Sequence, residues 1–257
     1  MEKIKLSYSH NESVANILLD DGKGNVLDSI MMQDILNCLC ELKKNSNLKL
    51  ITFQGQGKHF SFGASVEEHT YQLAKKMLQT FHQIFLELSE IHIPLLAKIS
   101  GQCLGGGMEL ALVCNFLFAD KTAKFGQPEI VLGVFPPPAS VILPEKIGLA
   151  RAEEILLTGK IINADEALRI GILNTVFEDK DSLNSETDAW IEKHILPKSA
   201  SSLRFASRAA RIKFNHILNN FLGYLERIYV QELMETNDAN EGIQAFLEKR
   251  APNWLNK

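Results

Sequence analysis

Three consecutive glycines, Gly105 to Gly107, within Gly101-Gln-Cys-Leu-Gly-Gly-Gly-Met-Glu-Leu110, restrict the local fold more than any other stretch of the chain. An apolar, strand-like run (Leu95-Leu-Ala-Lys-Ile99) precedes them, and a helix-forming run (Met108-Glu-Leu-Ala-Leu-Val113) follows. Glycine permits positive φ and lets another group come close to its backbone N–H. At a strand-to-helix junction the free N–H groups also carry the positive end of the helix dipole, so they can hold an oxygen bearing negative charge. Glu109 falls in the first turn of that helix, beside whatever the glycines hold. A carboxylate next to an anion-stabilising turn points to acid–base chemistry. A turn that merely packs a helix on a sheet fits the glycines equally well.

The chain has room for a large core, with 257 residues of which 46% are hydrophobic. Lys and Arg number 27 against 31 Asp and Glu, and the net charge of −4 gives no electrostatic basis for binding nucleic acid or an acidic membrane. Cys38, Cys40, Cys103 and Cys114 lie in apolar segments without CxxC or Cys/His metal spacing, which fits buried thiols in a reducing compartment. The first residues, Met-Glu-Lys-Ile-Lys-Leu, lack the apolar core of a signal peptide, and no stretch is long enough to span a membrane. A cytoplasmic protein is the expectation.

Ile4–Ser9 and Val14–Leu19 read as two strands joined at the polar turn His10–Ser13, and Ser29–Lys44 as an amphipathic helix. The strand Leu48–Phe53 empties into the glycine-punctuated loop Gln54–His59, and a helical pattern runs from about Thr70 to Glu90. Further strands are read at Pro94–Ile99 and Asn115–Ala119. The repeated order of strand, glycine loop and helix predicts an α/β core wound by crossover connections. Short helices follow at Ala150–Leu157 and Ala164–Ile170, with Asn163 as N-cap and Gly171 as C-cap. From Asp188 to the end the pattern is helical, broken once by Pro197. A core over 1–187 and a helical region over 188–257, docked on the core or on a neighbouring subunit, is the predicted division.

Phe62-Gly-Ala64 is a second glycine turn that could present backbone N–H groups. Two such donors converging on one carbonyl oxygen would form an oxyanion hole; a plain turn before a helix is the alternative. Glu129, in Gln127-Pro-Glu129 beside the apolar Ile130-Val-Leu132, carries a solvation penalty unless it is paired or used. Two carboxylates at one site can divide into acid and base when their surroundings separate their pKa values; a surface salt bridge is the simpler reading of Glu129. His59 and His69 flank the second turn, and His69, following Glu67 and Glu68, reads as part of a solvated face. His82, His92, His194 and His216 show no ligand spacing. The Gly-x-x-x-Gly-Gly-Gly pattern departs from the Gly-x-Gly-x-x-Gly of a dinucleotide loop, although Asp120 ends the next strand where a ribose-binding acid could sit.

Three segments together, Lys58-His-Phe-Ser-Phe-Gly-Ala-Ser-Val66, Gly101–Ala111 and Ala123-Lys-Phe-Gly-Gln-Pro-Glu-Ile130, resemble the crotonase (enoyl-CoA hydratase/isomerase) superfamily. Leu157-Thr-Gly-Lys160, Ala164-Asp-Glu-Ala167 and Gly171-Ile-Leu-Asn174 extend the likeness over nearly the whole chain. The resemblance implies a spiral of ββα repeats with a C-terminal helical trimerisation region, in homotrimers or homohexamers. It implies a coenzyme A thioester as substrate and no metal or other cofactor. Carried over residue by residue, the oxyanion-hole donors fall on the N–H groups of Ala64 and Gly106 and the two hydratase carboxylates on Glu109 and Glu129. Ser65, Val66 and Glu67 would line the path of the substrate, with Gly105 and Pro137 also in contact with it.

Two departures bear on the substrate. Ser65 stands where straight-chain hydratases usually carry an acid. After Glu129 the chain reads Leu132-Gly-Val-Phe-Pro-Pro-Pro-Ala-Ser140, where those enzymes read roughly Leu-Gly-x-x-Pro-Gly-x-Gly-Gly. Pro137 and Pro138 stiffen the acyl end of the pocket and remove any hydrogen bond donated from it. With Phe60–His69, this segment looks like that of the cyclohexa-1,5-diene-1-carbonyl-CoA hydratases. The resemblance therefore implies hydration of a cyclic dienoyl-CoA to 6-hydroxycyclohex-1-ene-1-carbonyl-CoA in anaerobic aromatic degradation. A straight-chain hydratase or isomerase is the nearest alternative. A non-catalytic binding protein and an NAD enzyme are the alternatives from other classes.

Overall fold

The structure, a computed structural model, describes residues 1–257. Its strands are β1 (Ile4–Ser9), β2 (Val14–Leu19), β3 (Leu50–Gly55), β4 (Leu95–Ile99), β5 (Gln102–Leu104), β6 (Phe116–Asp120), β7 (Lys124–Gly126), β8 (Ile161–Asn163) and β9 (Thr175–Phe177). The helices are α1 (Ser29–Leu42), α2 (Ala74–Ile91), α3 (Gly106–Leu112), α4 (Pro137–Ile147), α5 (Leu149–Thr158), α6 (Ala164–Arg169), α7 (Lys180–His194), α8 (Ala200–Ala210), α9 (Ile212–Gln231) and α10 (Asn237–Leu247).

The larger sheet has the order β1-β2-β3-β4-β6-β9 and is parallel except for the β1–β2 hairpin. Parallel strands covered on both faces read as nearly continuous apolar runs, which is why β3 and β4 show little alternation in sequence. The structure still separates the two faces. Ile51, Phe53, Ala97 and Ile99 point into the main core with α1 and α2, whereas Leu50, Leu96 and Phe118 meet Leu183, Ile191 and Ile195 of the α7 segment. The expected border at 187/188 lies inside α7, between two residues that pack in this second cluster. The helical part of the chain thus begins at Lys180, earlier than Asp188, where Asp179 and Ser182 form a reciprocal capping box.

A second layer stacks beside the main sheet. β5 pairs with β7 in parallel and β7 with β8 in antiparallel. Two isolated parallel bridges, Leu27 with Ala64 and Ser61 with Cys103, continue the stack through segments too short to be strands. Each turn of the chain therefore lays one strand in the large sheet, one short rung in the second layer and then a helix, as in β4–β5–α3 and β6–β7–α4. This is the expected ββα winding. The second helical pattern starts at Ala74 rather than Thr70, because Thr70 is extended (φ −58°, ψ 153°) and separates α2 from a 3₁₀ turn at Val66–His69. Gly171, with φ +90°, follows the last turn of α6, whose cap residue is Ile170. Cys40 is exposed, unlike the buried Cys38, Cys103 and Cys114, because it lies on the outer face of α1.

One buried side chain holds the loop that carries Ala64. Asn25, 2% exposed, points Nδ2 at the carbonyls of His59 (2.9 Å), Gln56 (3.0 Å) and Phe60 (3.2 Å). Its own carbonyl accepts from Ser61 Oγ at 2.6 Å, and Ser61 Oγ accepts from Gly63 N at 3.1 Å. Asn25→Ala strands these carbonyls without a donor. Denaturant unfolding should show a loss of about 1–3 kcal/mol, and an unchanged midpoint and slope would refute this role.

Candidate active site

Ala64 and Gly106 arrive from successive rungs of the second layer. In the bridge to Leu27, the Gly63 carbonyl accepts from Leu27 N at 2.9 Å and Ser65 N donates to the Leu27 carbonyl at 3.3 Å. Neighbouring peptide groups of an extended chain face opposite ways, so the Ala64 N–H is directed away from Leu27, and no backbone acceptor takes it. Gly106 begins α3, where the first N–H groups have no partner within the helix. A Cβ on Gly106 would lie 3.1 Å from Ala64 N and 3.3 Å from Ala64 Cβ, so the two residues sit side by side, and both line one cavity. α3 is only seven residues long, so any pull on an anion comes from its free N–H groups more than from a long helix dipole.

Gly105 takes φ +47°, and a Cβ there would come 2.6 Å from Glu129 Oε1. The glycine run therefore does two things that larger residues would block: it turns the chain into α3 and admits the Glu129 carboxyl. Glu129 sits on the 3₁₀ turn Pro128–Leu132 that follows β7. With the Gln127 amide oriented to donate, its nitrogen lies 3.1 and 3.2 Å from the two Glu129 oxygens. Glu109, 3% exposed, comes from the first turn of α3, and its Oε1 accepts from Ala139 N at 2.8 Å. Pro137 and Pro138 open α4 without N–H groups, which leaves Ala139 the first residue of that turn able to donate. The proline run thus reserves one amide for Glu109.

Both carboxyl groups line one small cavity, with Ala64, His69, Met77, Leu78, Phe81, Gly106, Phe135, Pro136, Pro137 and Tyr229. The cavity is tight, with about 20 Å³ of solvent-sized space, room for about one water molecule. Burial raises the pKa of Glu109 well above the usual carboxylate range. The charge of Glu129 raises it further, and the Ala139 N–H opposes both. Burial likewise raises Glu129. Two carboxyls that share one low-dielectric cavity titrate as a pair, and the pair retains a proton at pH values where isolated carboxylates have lost theirs. Glu129 is therefore no surface ion-pair residue.

An apolar groove runs outward from this cavity. Val26, Phe62, Ser65, Val66, Glu67, Leu104, Pro128, Val131, Leu132 and Phe246 line it, and Ala64 belongs to both spaces. Ser65, Val66 and Glu67 thus lie on the expected approach, with Ser65 Oγ donating to Glu67 Oε2 at 2.8 Å. Pro137 lies at the inner end, whereas Gly105 sits behind Glu129 and lines neither space. A more polar cleft between Thr70–Gln72 and α10 is separate from the carboxyl pair. No group of three or more His, Cys, Asp or Glu side chains gathers as a metal cluster.

The sequence reading of His69 as a solvated residue is corrected. The 3₁₀ turn rolls His69 into the cavity, its Nδ1 lies 2.7 Å from the Ser65 carbonyl, and burial lowers its pKa. A carbonyl can only accept, so the ring carries its proton on Nδ1 and leaves Nε2 as an acceptor. Gln127 and Tyr229 escaped the sequence reading altogether. Gln127 lies two residues before Glu129, a detectable signal; Tyr229 lies a hundred residues beyond Glu129 in α9, with no local signal.

A model of the enoyl-CoA hydratase/isomerase family matches residues 9–257. Over 254 residues the chain is 41% identical to a cyclohexa-1,5-dienecarbonyl-CoA hydratase of Thauera aromatica, covering 99% of this chain and 97% of that protein. It is 31% identical over 238 residues to a crotonyl-CoA hydratase of Syntrophomonas wolfei, covering 91% and 90% of the two chains. In fold it matches the crystal structure of an enoyl-CoA hydratase from Mycobacterium avium subsp. paratuberculosis, with a TM-score of 0.87, 21% identity and 99% of each chain covered.

The raised carboxyl pKa values set a direction for stability against pH. In the unfolded chain a glutamate deprotonates near pH 4.3, whereas the folded pair keeps its proton to higher pH. The folded state then binds more protons, so stability falls as pH rises from that range through the raised folded pKa. Thermal unfolding from pH 4 to 9 should show this decline in the wild type and a shallower one in Glu109→Gln. Parallel curves for the two proteins would show that the pair is not held protonated.

Proposed function

The chain belongs to the enoyl-CoA hydratase/isomerase family and is an acyl-CoA hydratase, and we propose that the thioester it hydrates is a cyclic conjugated dienoyl-CoA, cyclohexa-1,5-diene-1-carbonyl-CoA. The observation that carries this reading is the inner wall of the cavity. Phe81, Phe135, Pro136, Pro137 and Tyr229 line the same cavity as Glu109 and Glu129, and a wall of aromatic and proline rings suits packing against a six-membered ring better than against an extending alkyl chain. The 41% identity to a dienoyl-CoA hydratase supports the same reading.

In the proposed mechanism the thioester oxygen accepts from the Ala64 and Gly106 N–H groups, which draws electrons from the diene toward the carbonyl. An ionised carboxylate takes a proton from water as the oxygen bonds to the carbon β to the carbonyl. The protonated partner gives its proton to the far end of the diene, leaving one double bond conjugated to the thioester in 6-hydroxycyclohex-1-ene-1-carbonyl-CoA. Glu109, whose Oε1 is held by the Ala139 N–H, is assigned to the water and Glu129 to carbon. The chemistry needs no metal or redox cofactor beyond the coenzyme A of the substrate. Exposed Phe205, Ile212, Phe221 and Tyr224 on α8 and α9 support assembly into a homotrimer or homohexamer through these helices.

Purified enzyme should hydrate the cyclic dienoyl-CoA with at least a tenfold higher kcat/KM than crotonyl-CoA; the reverse preference would assign it to straight-chain substrates. Glu109→Gln should lower kcat by roughly 10²–10⁴ with its fold intact. Full turnover by that variant would overturn the two-carboxylate mechanism.

A further inference from the structure

Tyr229 reaches the cavity from α9, far from every sequence motif. Its side chain is 1% exposed, and its hydroxyl has no hydrogen-bond partner in the protein. The ring is held edge-on against Phe135, with centroids 5.4 Å apart and planes at 60°. Buried tyrosine hydroxyls usually find a partner, and an unmatched one carries a desolvation penalty that calls for an explanation.

The donors in the cavity are few. The Ala64 and Gly106 N–H groups face the position assigned to the thioester oxygen. The Ala139 N–H is engaged by Glu109. His69 directs its Nδ1 proton to Ser65 and offers only an acceptor. Pro136 and Pro137 have no N–H. Apart from the carboxyl groups themselves, the Tyr229 hydroxyl is the one uncommitted side-chain donor among the lining residues.

Building on the hydratase reading, we propose that Tyr229 is a further catalytic residue, whose hydroxyl donates a hydrogen bond to the oxygen being added, first as water and then as the hydroxyl of the product. As the water O–H bond breaks, its proton passes to a carboxylate and its oxygen bonds to carbon, while the other carboxyl supplies the proton to carbon. Tyr229 keeps its own proton throughout. Burial and the charges of Glu129 and Glu109 hold its phenol pKa above the ordinary value, in keeping with a pure donor. The prolines of α4 remove backbone donors from this end of the cavity, and the tyrosine, packed on Phe135 beside them, restores one.

Tyr229→Phe deletes the oxygen and keeps the ring against Phe135. It should be assayed on whichever thioester the wild type hydrates, so a change of preferred substrate leaves the test intact. With thermal unfolding near that of the wild type, kcat should fall roughly ten- to a hundredfold and KM for the thioester should stay within about twofold. The second measurement is binding: wild type should hold the hydroxylated product thioester more tightly than the same thioester lacking the hydroxyl, and Tyr229→Phe should erase that difference. A variant that keeps the wild-type preference for the hydroxylated thioester overturns the assignment whatever its kcat. Loss of turnover in Glu109→Gln beside an unaffected Tyr229→Phe would refute the tyrosine's role alone and leave the carboxylate mechanism standing.

Discussion

The site depends on a close approach between two backbones that carry almost no side chain. Gly63 packs against Leu104 and Gly106, where a Cβ would come 2.9 Å from the Leu104 carbonyl and 3.3 Å from Gly106 N. Two stretches of chain can approach this closely only where glycine removes the β-carbon. From that contact follow the shared space of Ala64 and Gly106 and, one residue away at Gly105, the room for the Glu129 carboxyl. The rungs of the second layer hold the approach in register, since Ser61 and Cys103 pair across the same two segments.

Desolvation then gives the two carboxyls their chemistry. In water each would ionise at mildly acidic pH and two neighbours would merely repel. Within the cavity, burial resists the loss of a proton from either group, and ionised Glu129 makes the ionisation of Glu109 harder still. A pair in this state can supply an acid and a base together, which adding water to a conjugated thioester requires. The hydrogen bonds from Ala139 to Glu109 and from Gln127 to Glu129 orient the groups without an opposing cation to neutralise them.

The same cavity is closed by elements that have no chemical signature of their own. α2 contributes Met77, Leu78 and Phe81, the segment before α4 contributes Phe135 and Pro136, and α9 contributes Tyr229. These apolar surfaces lower the local dielectric, so that hydrogen-bond donors and carboxyl charges interact more strongly than they would at the surface. The C-terminal helices are thus part of the site as well as of the outer surface. α7 packs instead on the far face of the main sheet, where it supports β3, β4 and β6 from behind.

How much of this could be foreseen varied with the range of the signal. Glycine runs, strand-like apolar stretches and the Asn163 cap are local properties that composition with spacing identifies, whereas Glu109 and Glu129 stay candidates on that basis and are singled out by the resemblance. The resemblance of three short segments added the winding and the assignment of Ala64 and Gly106. The two glutamates that precede His69 suggest a solvated face, while a 3₁₀ turn and one hydrogen bond to Ser65 rotate the ring inward. The start of the last helical region was placed late because the weakly amphipathic, mostly polar α7 shows little periodic contrast. By itself the sequence determined where the chain turns, where Asn163 starts a helix and that a carboxylate follows the Gly105–Gly107 turn, since these depend on residues within a few positions of one another. Tertiary structure alone decided that the two carboxyls share one cavity, that Ala139 is reserved for Glu109, and that Tyr229 lines the same space. Those facts depend on contacts between segments 30 to more than 100 residues apart, brought together by packing that no local pattern encodes.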